Sequence, residues 1–157
     1  MLFLPVKMKL KIKYLPNYLS DWPRLAFAHP GDSGLDLRAA IAEPLVLKAG
    51  QRALVPNGVQ MEMEADSSDY EVQIRPRSGL AAKAGLFVLN TPGTIDWGYR
   101  GEIKTILFNS STEDVTIQPG DRISQAVVCP IVRPQIEEVT DVSKTQRGDK
   151  GFGSSGV

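Results

Sequence analysis

The sequence predicts an all-β domain, a sandwich or barrel with one short helix. Three observations predict it: short strand-like runs recur along the chain, turn sequences separate them, and 14 glycines and 11 prolines favour turns over long helices. A chain of 157 residues has room for a single domain of ordinary size.

The first predicted strand covers residues 8–15, where Met8, Leu10, Ile12 and Tyr14 alternate with polar positions as in a half-buried strand. Eight further apolar runs predict strands at residues 45–47, 53–55, 59–63, 70–75, 86–89, 102–108, 115–117 and 123–129. Turn sequences lie at residues 48–50, 56–58, 91–93 and 118–121.

One short helix is predicted at residues 78–84, where good helix formers are followed by Gly85 as a C-terminal cap. It comes directly after Arg75, Pro76 and Arg77, so its first N–H groups and two guanidinium groups would converge on one anion-binding spot. A plain helix cap is the competing interpretation.

Composition excludes several function classes. Eighteen basic and eighteen acidic residues give a net charge of zero, so any bound anion needs a local site rather than a global field. The single cysteine, Cys129, excludes an internal disulfide and a cysteine-cluster metal site, and the single histidine, His29, excludes histidine-based zinc chemistry. Lysines interrupt the apolar start of the chain, so we expect no signal peptide or membrane span, and a cytoplasmic protein.

The two ends of the chain differ from the middle. We expect residues 1–7 to be a loose extension, residues 8–144 to form the β domain, and residues 145–157 to form a flexible, glycine-rich arm. The arm carries an aromatic ring between cations, which suits a flap that closes over a nucleotide. A merely disordered end is the competing interpretation.

Five segments form a recognisable series. They are GDSGLDLRAA at 31–40, RPRSGLA at 75–81, NTPGTIDWGYRGE at 90–102, GDRISQ at 120–125 and RGDKGFGSSG at 147–156. In this order and spacing they resemble the five motifs of the trimeric dUTP pyrophosphatases (dUTPases), over nearly the whole chain from about residue 30. The resemblance implies a jelly-roll-like β fold, a homotrimer with active sites at subunit interfaces, and a C-terminal motif that reaches over a neighbour's site.

The reaction implied by this resemblance is hydrolysis of dUTP to dUMP and pyrophosphate by attack of water at the α-phosphorus, with Mg²⁺ on the triphosphate. It lowers dUTP and supplies dUMP for thymidylate synthesis. Asp96 matches the carboxylate that holds the water, and Asp36 is expected to face the magnesium ion through water. The matching phosphate-side residues are Arg77, Ser78, Gly79, Gln125 and Arg147.

Selection of base and sugar is implied for residues 86–104, which are predicted as a hairpin with a tight turn at Gly93. In the resembling family such a hairpin presents backbone groups and Asn90 to the uracil edge. Tyr99 matches the family's tyrosine, which lies against the deoxyribose and leaves no space for a 2′-hydroxyl, and Phe152 is expected to stack over the base. Backbone contacts are expected from Thr94, Ile95 and Lys104.

Structural alternatives stay open for several of these residues. Asp36 could serve equally as a structural carboxylate bonded to Arg38 or to loop N–H groups, and Gln125 could have a role in the fold. Tyr99, Ile95 and Trp97 could be ordinary hairpin packing. The sequence departs from the family pattern with Gly98 in place of an acidic residue, Lys150 in place of glycine and Ser155 in place of threonine.

Two rival functions share the expected fold. A dCTP deaminase would carry a glutamate at about position 106 and a basic residue at about position 82, where this chain has Ile106 and Ala82. A deaminase without that carboxylate lacks its proton shuttle. A non-enzymatic nucleotide sensor is the other alternative, and the presence of Asp96, Arg77 and Tyr99 argues against it.

Overall fold

The computed structural model describes residues 8–65, 68–149 and 151. Within them lie eleven strands and one helix, so the all-β prediction is confirmed. The elements are β1 (Lys9–Tyr14), β2 (Gly34–Arg38), β3 (Leu45–Leu47), β4 (Arg52–Pro56), β5 (Val59–Glu64), β6 (Tyr70–Arg75), α1 (Ser78–Ala84), β7 (Leu86–Val88), β8 (Gly93–Ile95), β9 (Lys104–Asn109), β10 (Val115–Ile117) and β11 (Arg122–Pro130).

Nine of these strands match the predicted runs, and β2 and β8 were not predicted. The prediction of a tight turn at Gly93 is wrong, because Gly93 begins β8 and pairs with Ile74 of β6. Strand β7 does pair with β9, but the segment between them leaves that ladder to add β8 to another sheet. Long-range pairing with β6 thus decides the conformation of a stretch whose local sequence favours a turn.

The strands form four antiparallel groups. The largest sheet has the order β2-β11-β6-β8, a second has β4-β9-β7, and two pairs join β1 to β5 and β10 to β3. Strand β11 is the longest and pairs with both β2 and β6, with a bulge between Arg122 and Ser124 on the β2 side. The bulge therefore changes the direction of the side chains at the start of β11 relative to β2.

Two apolar clusters fill the space between these sheets. The first includes Leu37, Val59, Val72 and Ile103, all fully buried. The second includes Val55, Leu86, Leu107, Ile117 and Ile123. Burial of this apolar area is the main stabilising contribution to the fold.

A polar network of three fully buried side chains, Asn57, Thr105 and Ser124, crosses the core. The Thr105 hydroxyl donates to Oδ1 of Asn57 at 3.0 Å and lies 2.7 Å from Oγ of Ser124. The Asn57 amide donates to the carbonyl of Arg38 at 2.9 Å. The network thereby joins the β4–β5 turn, β9, β11 and the end of β2.

Helix α1 begins and ends where the sequence predicts. Gly85 adopts the left-handed conformation (φ +64°), and its N–H donates to the Ala81 carbonyl at 3.1 Å. With seven residues, this helix of the described chain is not long enough to cross a membrane.

The chain leaves the sheets after β11. From residue 131 to residue 149 it has no helix or strand and is largely exposed, with Val132, Ile136 and Val142 each more than four-fifths exposed. We call residues 131–145 the connecting segment.

Candidate functional site

Asp36, Arg77 and Arg122 form an arginine–carboxylate cluster at the end of β6. Asp36 Oδ1 accepts from Nε of Arg77 at 2.8 Å, and Oδ2 accepts from Nη1 of Arg122 at 3.0 Å. Arg77 Nη1 also donates to the Arg122 carbonyl at 3.0 Å. Two guanidinium groups and one carboxylate leave a net positive charge in a partly exposed place, which suits an anion.

The partners of Asp36 differ from those considered in the sequence. Arg38 donates instead to the carbonyl of Gly120 at 2.8 Å. Arg122 was given no role, although it lies in the 120–125 motif and begins the strand that pairs with β2. Its position in that motif, three residues before Gln125, was the available signal.

Gln125 lies beside this cluster, directly opposite Asp36 across the β2–β11 ladder. Its Nε2 donates to the carbonyl of Pro76 at 2.9 Å, so the side chain also has the fold role that the sequence left open. A Cβ on Gly34 would overlap Oε1 of Gln125, which explains the glycine. The neighbouring cavity of about 250 Å³ is polar and is lined by Asp32, Gly34, Asp36 and Gln125, among others.

The start of α1 faces solvent next to Arg77. The first helical bonds run from the N–H groups of Leu80 and Ala81 to the Arg77 carbonyl, so the preceding N–H groups, those of Ser78 and Gly79, are outside this ladder. Both residues are exposed. A Cβ on Gly79 would meet no atom of the described residues within 4 Å, so any need for glycine there comes from a ligand or another chain.

A second group of predicted residues lies on the tyrosine loop, residues 96–102. Asp96 is exposed, and its carbonyl accepts from the N–H of Tyr99 at 3.0 Å. The Tyr99 hydroxyl donates to the Glu102 carbonyl at 3.0 Å, and the ring is 44% exposed. A Cβ on Gly101 would overlap this ring, so glycine allows the ring to lie across the loop.

The remaining predicted residues surround this loop. The Asn90 amide lies against Gly93, and its Nδ2 is 3.0 Å from the place that a Cβ there would occupy. Thr94 is exposed on β8, and Lys104 is exposed at the start of β9. Ile95 and Trp97 pack on the first core cluster, in agreement with the packing interpretation.

The cluster and the tyrosine loop lie at opposite ends of one sheet. The last residue of β6, Arg75, is opposite Gln125 of β11, whereas Val72, three residues earlier, is opposite Ile95 of β8. Asp96 follows Ile95, so the register separates it from Asp36 by about 13 Å along the strands and about 14 Å across them, about 20 Å in all. Within one chain the predicted residues therefore form two separate groups, the arginine–carboxylate cluster and the tyrosine loop, and these do not make up a single site.

The C-terminal motif is described only in part. Arg147 is exposed. Phe152, Lys150 and Ser155 lie outside the described residues.

Asp36 is the carboxylate of the cluster that could face a magnesium ion. In the described part of the chain, no three His, Cys, Asp or Glu residues are grouped so that they could hold an ion. Both Asp36 oxygens already accept from arginines, yet each has a further lone pair for a metal-bound water. The residues present thus fit an outer-shell contact to magnesium.

Comparisons with known proteins cover nearly the whole chain. The family model described as dUTPase matches residues 20–156. Deoxyuridine 5'-triphosphate nucleotidohydrolase of Bdellovibrio bacteriovorus is 49% identical over 150 residues, which are 96% of this chain and 97% of that protein. The protein of the same name from Aquifex aeolicus is 53% identical over 151 residues, 96% and 98% of the two chains. The solved structure of Staphylococcus bacteriophage 80alpha dUTPase with dUPNHPP has a TM-score of 0.74 and 26% identity, and covers 95% of this chain and 99% of that one.

Proposed function

The chain belongs to the dUTPase family, and from this membership we propose that it hydrolyses dUTP to dUMP and pyrophosphate. The proposal rests on two groups of residues, one suited to binding the phosphates and one suited to holding the attacking water. A cationic cluster suits the phosphates, and an exposed carboxylate lies beside an exposed tyrosine. With a single cysteine in the sequence, we propose that the enzyme acts in the cytoplasm.

The arginine–carboxylate cluster would bind the triphosphate. Arg77 donates to the phosphate oxygens, and the Ser78 hydroxyl and the N–H groups of Ser78 and Gly79 add donors beside it. Gln125 donates from the neighbouring strand, and Arg147 approaches the γ-phosphate from the C-terminal motif. Charge that develops on the leaving pyrophosphate is then stabilised by fixed donors, without reorganisation of water.

Asp96 would hold the attacking water. A carboxylate accepts a proton from water as the water attacks the α-phosphorus. Its task is therefore to orient the water in line with the leaving pyrophosphate.

Base and sugar would be selected next to this carboxylate. Asn90 and the backbone of Thr94, Ile95 and Lys104 face the uracil, where a hydrogen-bond mismatch rejects other bases. The Tyr99 ring occupies the space of a 2′-hydroxyl, and Phe152 stacks on the base.

Asp36 would contact magnesium through water. Bound to the triphosphate, Mg²⁺ neutralises charge and fixes the orientation of the phosphate chain. Asp36 contributes by holding Arg77 and Arg122 and by accepting from a metal-bound water.

We propose that the active sites form between subunits of a homotrimer. The separation of about 20 Å between Asp36 and Asp96 supports this, because water and phosphate must be in contact during hydrolysis. The exposed connecting segment also supports it, since Val132, Ile136 and Val142 would gain apolar contacts on another copy. A groove of about 510 Å³, lined by Leu10, Phe27 and other apolar residues beside β1, offers such a surface.

Residues 145–157 would close over the nucleotide of a neighbouring subunit. Truncation after Thr145 should leave the trimer intact, as measured by sedimentation, and should reduce turnover severely. Full turnover by the truncated trimer would contradict this role.

The reaction itself is tested with purified protein, Mg²⁺ and either dUTP or dCTP, while pyrophosphate and ammonia are both measured. We expect pyrophosphate from dUTP alone. Ammonia from dCTP would indicate the deaminase, and binding of dUTP without turnover would indicate the sensor. Asp96→Asn should reduce kcat about 100-fold or more and preserve binding of dUpNHpp. Asp114→Asn is the matched control, at a carboxylate outside both groups whose Oδ1 accepts from the N–H of Ala49 at 3.3 Å.

A further inference from the structure

The carboxylate of Glu102 ties the tyrosine loop to the body of the domain. Its Oε1 accepts from Nδ2 of Asn17 at 2.8 Å and from the N–H of Gly58 at 3.0 Å. Both donors are themselves held in place: Asn17 also donates to the Ala40 carbonyl at 3.3 Å, and Gly58 lies in the β4–β5 turn with φ +68°. One carboxylate oxygen thus joins three separate segments of the chain.

The same residue fixes the tip of the Tyr99 ring. The Glu102 carbonyl accepts from the Tyr99 hydroxyl, and the next N–H, that of Ile103, donates to the Val59 carbonyl at 2.8 Å. The ring lies over Gly101, between its own backbone and this carbonyl. A shift of Glu102 therefore moves the ring.

We propose that Glu102 is a positioning residue for sugar discrimination, which holds the Tyr99 ring where a 2′-hydroxyl would have to fit. This inference rests on the proposed function. Two hydrogen bonds from separate segments converge on a single oxygen here, so the Glu102 side chain is held from two directions. Glu102 acts only through Tyr99 and touches no substrate.

The test compares Glu102→Ala with Glu102→Gln, using kcat/KM for dUTP and for UTP. Glu102→Ala should lower the ratio of the two values about tenfold, mainly through a lower KM for UTP, whose 2′-hydroxyl then has space. Glutamine keeps an oxygen that can accept two hydrogen bonds, so Glu102→Gln should retain the ratio to within about threefold. A role in stability alone would lower both values together and leave the ratio unchanged.

Two further variants complete the test. Glu62→Ala removes a surface glutamate that pairs with Lys11 and should leave the ratio unchanged. Asn17→Ala removes one of the two donors and should lower the ratio by less than Glu102→Ala, and it carries the test if Glu102→Ala does not fold. An unchanged ratio in the folded variant, or equal losses in Glu102→Ala and Glu102→Gln, would overturn the inference.

Failure of the proposed function gives a different result. In that case the unmodified protein releases no pyrophosphate from dUTP. The ratio of Kd for the ribose counterpart of dUpNHpp to Kd for dUpNHpp is then measured on the same variants. The role of Glu102 predicts the same fold-changes in this ratio as in the ratio of kcat/KM values.

Discussion

Replacing Thr105 with valine removes the central hydroxyl of the buried polar network and keeps nearly the same volume. Asn57 Oδ1 then loses its donor and Ser124 Oγ loses its partner, and both side chains are 0% exposed. Water cannot reach them in the folded state, so solvent does not replace the lost hydrogen bonds.

The expected cost follows from these two groups. An unsatisfied buried polar group costs about 1–3 kcal/mol, and the Ser124 hydroxyl can rotate toward another acceptor, so we expect a total of about 2–4 kcal/mol. For a domain of this size the melting temperature should fall by about 5–15 °C.

Urea unfolding at one fixed protein concentration measures this, because subunit association makes the midpoint concentration-dependent. The midpoint for Thr105→Val should fall by about 1–2 M. Thr105→Ser retains the hydroxyl and should lose less, and Thr116→Val, at an exposed position of β10, should change little. A Thr105→Val protein that unfolds at the unmodified midpoint would refute the reasoning.

Three other predictions concern separate parts of the molecule. Asp36→Asn should raise KM for dUTP about tenfold, because it weakens the ties that position two guanidinium groups; an unchanged KM would contradict this. Gly85→Ala should lower the unfolding free energy by about 1–2 kcal/mol, since φ is +64° there. Gly98→Ala, at a position with no atom of the described residues within 4 Å, should not lower it. Equal thermal stabilities of the two variants would contradict this prediction. The hydrogen bond from Lys11 lowers the pKa of Glu64 from 4.5, so its stabilisation is present above pH 4.5 and is lost as the pH falls through the lowered value. The difference in melting temperature between Glu64→Gln and the unmodified protein should therefore shrink in acid, and a constant difference would be contrary to this.

Local sequence was enough for most of the fold. The alternation of residues 8–15, the helix that ends at Gly85 and the turn at Pro56, Asn57 and Gly58 each depend on neighbouring residues, and each is found where expected. Strand β2 was missed because its residues were considered as a motif, although the alternation of Leu35 and Leu37 with polar residues was present.

The candidate site was less accessible from sequence. Strand β8 and the pairing of Asp36 with Arg122 depend on contacts between residues far apart in the chain, and no local pattern encodes the register of such strands. The separation of Asp36 from Asp96 likewise follows only from the order of strands in the sheet. Glu102 belongs to the 90–102 motif, but its role depends on two loops that are distant in sequence.

Because the candidate site is divided between two ends of the sheet, two inactive variants are expected to complement each other. If each site takes its cluster from one subunit and its tyrosine loop from another, chains with Arg77→Ala and chains with Asp96→Asn are inactive alone and complement each other when mixed. Every trimer that contains both kinds of chain then has one subunit interface at which the cluster and the tyrosine loop are both unmodified. Co-refolding equal amounts of the two dead proteins should restore about a quarter of full activity.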